Sequence, residues 1–236
     1  MIYSQRLNLL YIAVPKTGTT SVEKAIRKID PKIEFNSLTF GELVIKGIDL
    51  KKGVLGHARA KEIKEVVPED FFKSLNILAT IREPQSKLVS AYFFTKKNKL
   101  IKSKYNQIRS VRLFINEVKY VLGVLLAKLL PFQLWAFLYP YRSNCSYIFD
   151  DEGNRLVNYI ARTEYLDTDI KLIFTKLGID ILNLEFEILN ISKHKDYSLY
   201  YKNKLFNRLI SKRLKKDIHF YQEVGLEIRE LQNEVY

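Results

Sequence analysis

A short segment near the start of the chain combines the residue types that bind a phosphate or sulfate group. Pro15–Ser21 (PKTGTTS) contains one lysine, one glycine and four hydroxyl side chains. Glycine lets the backbone approach an anion closely, and the start of a helix presents unpaired N–H groups at the positive end of its dipole. Lys16 adds a charge that could neutralise the oxygen of a departing phosphate. The predicted anion ligands are Lys16, Thr17, Gly18, Thr19, Thr20 and Ser21.

A second segment carries a cation and a hydroxyl at a spacing that suits one phosphate. Ile81–Tyr92 reads IREPQSKLVSAY. Arg82 stands at the end of a predicted strand, and Ser90 stands on the helix predicted to follow it. The two side chains could converge on one phosphate, with the guanidinium giving charge-assisted hydrogen bonds. We therefore expect Arg82 and Ser90 to form a second phosphate site.

Transfer to a hydroxyl acceptor also needs a group that takes up the hydroxyl proton. A histidine has a pKa near neutrality and suits this role. His57 lies in VLGHARAKEI (residues 54–63), between the two phosphate segments. We predict that His57 is the base and keep Glu62 as the alternative. Arg59 and Lys61 could instead hold an acidic acceptor.

These segments resemble the sulfotransferases that use 3′-phosphoadenosine-5′-phosphosulfate (PAPS), in particular the sulfotransferase family 2 type, which includes many carbohydrate sulfotransferases. In that family PKTGTTS or a near variant follows a strand and forms the 5′-phosphosulfate loop. The family's 3′-phosphate site has the pattern R-x-P-x-x-R-x-x-S-x-Y. Arg82, Pro84, Ser90 and Tyr92 match it, whereas Lys87 stands where the family often has arginine. Lysine keeps the charge and loses the bidentate fork.

The resemblance implies an enzyme that moves a sulfuryl group from PAPS to a hydroxyl, with a carbohydrate as the expected acceptor, and releases adenosine 3′,5′-bisphosphate without a metal. Lys16 and His57 would be catalytic. Weaker matches at residues 160–167 and 190–201 imply that Arg162 and Ser192 also touch the nucleotide.

The segments that must position these residues are predicted to be a strand, a loop of small residues and a helix. Asn8–Val14 and Leu75–Ile81 are apolar runs typical of buried strands, and Ser21–Ile29 has one apolar helical face. We predict an α/β fold. The resemblance implies a three-layer sandwich like that of the P-loop NTPases, with a central, mostly parallel sheet and a helix-rich second half. Residues 1–236 are expected to form a single domain.

Other segments give less specific patterns. The sequence predicts a short helix at Phe40–Val44, and strands at Val54–His57 and Ser146–Phe149. Tyr120–Tyr139 is the segment nearest to a membrane span, but Lys128, Pro131 and Gln133 interrupt it. We expect two buried helices divided at Pro131, with a segment lying on a membrane surface as the alternative that is possible but not favoured.

Bulk composition narrows the function classes without choosing an acceptor. The net charge of +13 favours an anionic partner. A single cysteine excludes an intrachain disulfide, and three scattered histidines give no metal-ligand spacing. The first residues lack the pattern of a signal peptide, which predicts a cytoplasmic protein. The oligomeric state is left open.

Two other functions compete with sulfuryl transfer. The first is a divergent nucleotide-dependent kinase, although Lys16 precedes the glycine and the Walker A pattern GxxxxGK[ST] is not formed there. The second is a basic protein that binds nucleic acid or an acidic glycan. No nucleic-acid motif stands out in the sequence, so we expect no nucleic-acid partner.

Overall fold

The computed structural model of the protein describes residues 1–33, 37–40, 43–46, 57–98, 111–182, 184–187, 189 and 195–235. In chain order the strands are β1 (Ile2–Ser4), β2 (Leu9–Ile12), β3 (Ser37–Phe40), β4 (Leu43–Lys46), β5 (Asn76–Ile81) and β6 (Tyr159–Arg162). The helices are α1 (Thr19–Ile29), α2 (Ala60–Lys64), α3 (Glu69–Ser74), α4 (Pro84–Lys97), α5 (Val111–Leu129), α6 (Phe132–Leu138), α7 (Cys145–Ile148), α8 (Leu166–Lys176), α9 (Lys204–Arg213) and α10 (Lys215–Val235). Short 3₁₀ helices span Thr163–Tyr165 and Tyr197–Tyr201.

The predicted α/β fold is confirmed as an open, mostly parallel sheet with the order β1-β2-β5-β6. Strands β2, β5 and β6 are parallel to one another, and β1 is antiparallel at the edge. Every residue of β2 is buried, as are the last five residues of β5, because both faces of these strands are covered. Burial of both faces is the reason why these two strands appear in the sequence as continuous apolar runs.

Two local predictions are wrong. Phe40–Val44 was expected to be helical, but its described residues belong to β3 and β4, which pair antiparallel with Phe40 opposite Leu43. Ser146–Phe149 was expected to be a strand, but Ser146 lies in α7, and Phe149 makes only an isolated bridge to Arg155. The predicted strand at Val54–His57 falls mostly on residues outside the described ranges, and His57 itself is not in a strand.

Contacts divide the chain into two compact units. The sheet unit comprises Met1–Pro84, Arg142–Ile191 and Lys216–Tyr236. The helical unit comprises Gln85–Tyr141 and Ser192–Lys215, and the regular structure described in it is all helical. A core of apolar residues from β1, β2, β5, β6, α1, α8 and α10 fills the sheet unit.

Aromatic rings form much of the core of the helical unit. The Phe132 ring makes edge contacts with four other rings, at centroid distances of 5.4–5.8 Å. Those rings belong to Tyr92, Tyr200, Tyr201 and Phe206. The predicted division at Pro131 is confirmed, since α5 ends at Leu129 and α6 begins at Phe132. The two helices are not buried all round, because each has one exposed apolar face. Within the described ranges, no helix is long and apolar enough to cross a membrane.

Candidate functional site at the carboxyl edge of the sheet

The parallel strands place three chain segments at one edge of the sheet. Ile81 pairs with Arg162 at the ends of β5 and β6, and Ile12 pairs with Ala79 near the ends of β2 and β5. The segments that leave these strands therefore emerge side by side. They contain the predicted anion loop after β2, Arg82 after β5 and Thr163–Tyr165 after β6. Ligands of open α/β sheets bind outside such carboxyl ends.

A chain of buried hydroxyl groups holds the loop after β2 against β5. The Thr17 hydroxyl donates to the Val14 carbonyl oxygen at 2.7 Å, and it lies 2.7 Å from the hydroxyl of Thr80. The Tyr11 hydroxyl lies 2.8 Å from the same Thr80 oxygen. Because Thr17 uses its hydrogen on Val14, Thr80 must donate to Thr17. Thr17 is fully buried and its hydroxyl hydrogen is used on Val14, so its side chain shapes the loop, and its role as an anion ligand stays a prediction.

Two residues of the loop adopt the left-handed backbone conformation. Gly18 has φ +75°, and Lys16 has φ +69° although it is not glycine. A Cβ atom on Gly18 would lie 2.8 Å from Cδ2 of Leu166, the first residue of α8. The loop is thus packed directly on the segment after β6, and a Cβ at position 18 would require the Leu166 side chain to shift.

The start of α1 offers backbone donors to an anion. Gly18 is the N-cap and has no side chain to satisfy the first N–H groups of the helix, and the first turn contains no acidic residue. Thr19 is partly exposed and Thr20 is exposed, so both hydroxyl groups can reach a ligand. Ser21 is buried, and its Oγ accepts a hydrogen bond from the Leu189 N–H at 2.8 Å. The buried Ser21 hydroxyl therefore links the start of α1 to the backbone at Leu189.

Lys16 and Arg82 come from neighbouring strand ends and act on each other electrostatically. Burial lowers the pKa of Lys16 to about 8, and the positive charge of Arg82 lowers it further in the same direction. Burial also lowers the pKa of Arg82. Two partly desolvated cations that repel each other are stabilised when an anion comes between them. The structure thus brings together the lysine of the first segment and the arginine of the second.

Glu164 and Tyr221 hold the backbone around Arg82, a role that the sequence did not reveal. Glu164 Oε1 accepts from the Glu83 N–H at 3.2 Å and lies 3.9 Å from Arg82 Nε. The Tyr221 hydroxyl donates to Glu164 Oε2 at 2.8 Å. Burial and the negative charge of Glu164 raise the pKa of Tyr221, so it stays a donor. Glu164 lies in the weakly matching segment 160–167, but its contact with Tyr221 could not be read from the chain.

His57 is anchored to the backbone beside the anion loop. Its Nδ1 lies 2.7 Å from the Ala13 carbonyl oxygen, which can only accept, so Nδ1 carries the hydrogen and Nε2 has a free lone pair in the neutral ring. Although the residue is exposed, partial desolvation of the ring lowers its pKa, against the opposing effect of the Ala13 hydrogen bond. His57 is therefore neutral at pH 7 and able to take up a proton at Nε2.

The alternative base has a structural role. Glu62 Oε2 accepts from the Arg59 N–H at 2.9 Å and so caps the start of α2. Arg59 and Lys61 line a cavity of about 180 Å³ in the sheet unit. Its other lining residues are Ser143, Cys145, Ser146, Phe149, Asp150, Asp151 and Lys216. Within it Lys61 pairs with Asp151 at 2.6 Å.

Arg162 forms a buried ion pair with Asp169. Its Nε and Nη2 donate to the two carboxylate oxygens of Asp169 at 2.8 and 2.9 Å, and its backbone N–H also donates to Asp169. Asp169 is fully buried, and the guanidinium carbon lies 4.4 Å from the centroid of the Tyr165 ring. This ion pair fixes the turn from β6 to α8, and the contact of Arg162 with the nucleotide stays a prediction.

The remaining predicted ligands belong to the helical unit. Ser90 lies on α4 and is 1% exposed. Lys87 on the same helix is 3% exposed, and its Nζ lies 5.5 Å from the centroid of the Tyr141 ring. Ser192 lies outside the described residues. Among the described residues there is no group of three or more side chains that could hold a metal ion.

No known family model matches the chain, and no curated protein sequence matches it significantly. The fold and the site together define an α/β protein with an open, mostly parallel sheet. Lys16, Arg82 and the start of α1 give the carboxyl edge of this sheet the means to bind an anion.

Proposed function

We propose that this protein is a PAPS-dependent sulfotransferase with a P-loop-like fold, which transfers a sulfuryl group to a hydroxyl of a carbohydrate. One observation carries the proposal. Lys16 and Arg82 follow the neighbouring parallel strands β2 and β5 at the carboxyl edge, beside the start of α1, and the charge of Arg82 lowers the pKa of Lys16. An adenosine with phosphates at both the 5′ and 3′ positions is a ligand that such a pair of cations would stabilise.

The chemistry assigns a separate role to each side chain. His57 takes the proton of the acceptor hydroxyl at Nε2 while the hydroxyl oxygen forms a bond to sulfur. The bond between sulfur and the bridging oxygen breaks, and its electron pair stays on the 5′-phosphate. Lys16 and the N–H groups of Thr19 and Thr20 neutralise the negative charge that develops there. The products are a sulfate ester, adenosine 3′,5′-bisphosphate and the proton held by His57.

The first test separates the bisphosphate from other nucleotides. Adenosine 3′,5′-bisphosphate should raise the Tm more than adenosine 5′-monophosphate or ATP with Mg²⁺ does. Arg82→Ala should weaken binding of the bisphosphate far more than binding of the 5′-monophosphate. Equal weakening of both would remove Arg82 from the 3′-phosphate site, and preferential stabilisation by ATP with Mg²⁺ would favour the kinase.

The second test concerns the base. His57→Ala should abolish transfer of labelled sulfate from PAPS to a panel of glycans while leaving bisphosphate affinity nearly intact. Glu62→Gln is the comparison, since its amide oxygen can still accept from the Arg59 N–H. Unchanged transfer in His57→Ala would exclude this residue as the base.

A further inference from the structure

The excess positive charge of the chain lies entirely in the helical unit. This unit contains 18 lysines and arginines against two acidic residues, Glu117 and Asp196, so that its net charge is +16. The sheet unit contains 21 basic and 24 acidic residues, a net charge of −3. The anionic partner suggested by the overall charge is therefore a partner of the helical unit.

The same unit also holds most of the exposed apolar side chains. Twelve of the 16 large hydrophobic side chains that are exposed among the described residues belong to it. Five of them lie on α5 at spacings of three, four, seven and eleven residues from the first, which places them on one helical face. They are Val118, Val121, Leu122, Leu125 and Leu129. Val124 and Ala127, on the other side of α5, are fully buried.

Two further helices of the unit continue this mixture of apolar and basic side chains. On α6, Leu134, Phe137 and Leu138 are exposed. On α9, Leu205 and Leu209 are exposed. Each follows an exposed basic residue, in a series spaced four residues apart that consists of Lys204, Arg208 and Lys212.

Direct contacts hold α6 and α9 together. The Arg213 guanidinium donates to the carbonyl oxygens of Ala136, Phe137 and Tyr139 at the end of α6. The rings of Phe137 and Phe206 lie 5.6 Å apart. The exposed side chains of the two helices are therefore presented by one packed body.

We propose that the helical unit binds the surface of a membrane that contains anionic lipids. The apolar faces of α5 and α6 enter the boundary between headgroups and acyl chains, and the lysines and arginines contact lipid phosphates. Association is peripheral, because no described helix is long and apolar enough to span a bilayer. This inference does not depend on the proposed sulfuryl transfer.

Charge and shape together select the lipid surface over other partners. A second copy seated on the same surface would bring +16 against +16, which opposes association. A nucleic acid would be bound by cations and by rings that stack on bases, and it would leave the aliphatic side chains of α5 in water. Only a partner that is anionic outside and apolar beneath satisfies both features.

The test uses the full-length protein and sedimented vesicles. Vesicles of phosphatidylcholine with about one third phosphatidylserine should bind the protein, and vesicles of pure phosphatidylcholine should bind it far less. Raising the salt from 0.1 to 0.5 M should lower binding to the anionic vesicles, because screening shortens the range of the charges. Equal binding to both vesicle types, or no binding, would overturn the proposal.

Two sets of substitutions separate the apolar and the electrostatic contributions. The double change L122Q/L129Q removes exposed apolar groups and should lower the partition coefficient by about tenfold or more. The triple change Lys204→Gln, Arg208→Gln and Lys212→Gln should lower it by about tenfold to a hundredfold. Leu226→Gln is the matched control, since Leu226 is 59% exposed on α10 of the sheet unit. It should leave vesicle binding unchanged.

The remaining outcomes identify other occupants and keep this test apart from that of the proposed function. The protein could fail to bind vesicles and instead form a dimer in sedimentation velocity. If L122Q/L129Q abolished that dimer, a second copy would be shown to cover α5. Binding to RNA or heparin that ignores the apolar changes, again without vesicle binding, would point to a soluble polyanion. Either result contradicts the proposal. Stabilisation by adenosine 3′,5′-bisphosphate should persist in all these variants.

Discussion

The two units use positive charge in opposite ways. In the sheet unit the cations of the candidate site are few, and burial lowers the pKa of both Lys16 and Arg82. In the helical unit the cations outnumber acidic residues by 18 to two, and those of α9 are exposed. Electrostatic energies rise as the local dielectric falls, so single charges matter in the first unit. In the second unit many weak, screened contributions add up.

The two units also differ in their neutral side chains. The sheet unit encloses its polar groups, as the buried hydroxyl groups of Tyr11, Thr17 and Thr80 show. The helical unit leaves an apolar face of α5 exposed. We therefore expect single substitutions to have large effects in the sheet unit and small, additive effects in the helical unit.

The largest effect on stability is expected at the buried ion pair. Asp169→Ala leaves the Arg162 guanidinium, which is 15% exposed, without its carboxylate, and should lower the free energy of unfolding by about 3–5 kcal/mol. Urea denaturation measures this loss. Lys171→Ala is the control on the same helix, because its pair with Asp167 is solvent-exposed and should be worth about 0.3–0.5 kcal/mol. Similar losses in the two variants would contradict the assignment.

The largest effect on activity is expected at Lys16. Lys16→Ala should lower the transfer rate by about a hundredfold to a thousandfold, the usual result of removing a group that stabilises transition-state charge. Lys16→Gly should lose as much activity, yet it should be about 1 kcal/mol more stable than Lys16→Ala, because position 16 has φ +69°.

One further substitution tests whether the loss at Lys16 is specific, and a second measures the effect of a single charge in the helical unit. Lys24→Ala, on the exposed side of α1, should leave transfer unchanged. Lys204→Gln in the helical unit should lower vesicle binding by less than about fivefold. If Lys16→Ala retained transfer, the proposed mechanism would lose its leaving-group cation.

A smaller effect is expected at the glycine of the anion loop. Gly18→Ala adds the cost of a left-handed alanine, about 1 kcal/mol, to the contact of 2.8 Å with Leu166. Moving that side chain should bring the total loss to about 2 kcal/mol or more. Gly178→Ala is the matched control, since Gly178 has φ +66° but a Cβ there would meet nothing within 4 Å. Equal losses by urea denaturation would show that only the backbone strain matters.

The parts of the fold that were predictable are those that local pattern decides. β2 and β5 are buried on both faces and therefore read as continuous apolar runs. β1 has only three residues and exists by pairing with β2, so no local signal predicts it. The residues of α7 favour a strand, but the Asp217 carboxylate accepts hydrogen bonds from the Asn144 and Cys145 N–H groups and fixes a helical turn.

The site was predictable to the same extent. The sequence named Lys16, Gly18 and Arg82 because their types and spacing are unusual. It could not show that Thr17 spends its hydrogen on Val14, or that Asp169 occupies Arg162. Both facts depend on which buried partner lies within hydrogen-bonding distance in the folded protein. Charge patterning had a similar limit, since the separation into units of +16 and −3 appears only once the units are known.

The pH dependence of anion binding tests whether Lys16 is desolvated as the comparison requires. In the ligand-free protein the pKa of Lys16 is about 8, and a bound anion favours the protonated form. Affinity for adenosine 3′,5′-bisphosphate should therefore be full below pH 8 and should fall above it, approaching about tenfold per pH unit. The phosphates themselves are fully ionised above about pH 7 and add no dependence there.

Calorimetry in two buffers of different ionisation enthalpy should reveal proton uptake on binding above pH 8. Lys16→Arg should bind with little pH dependence over this range, because a guanidinium stays charged. An affinity that rises with pH, or the same pH dependence in Lys16→Arg, would contradict the assignment. The stability of the ligand-free protein depends on pH in the opposite direction to the anion affinity. The reason is that the unfolded chain holds the Lys16 proton up to its ordinary pKa of 10.5. The contribution of Lys16 to the free energy of unfolding should therefore rise between pH 8 and 10.5, while the affinity for the anion falls.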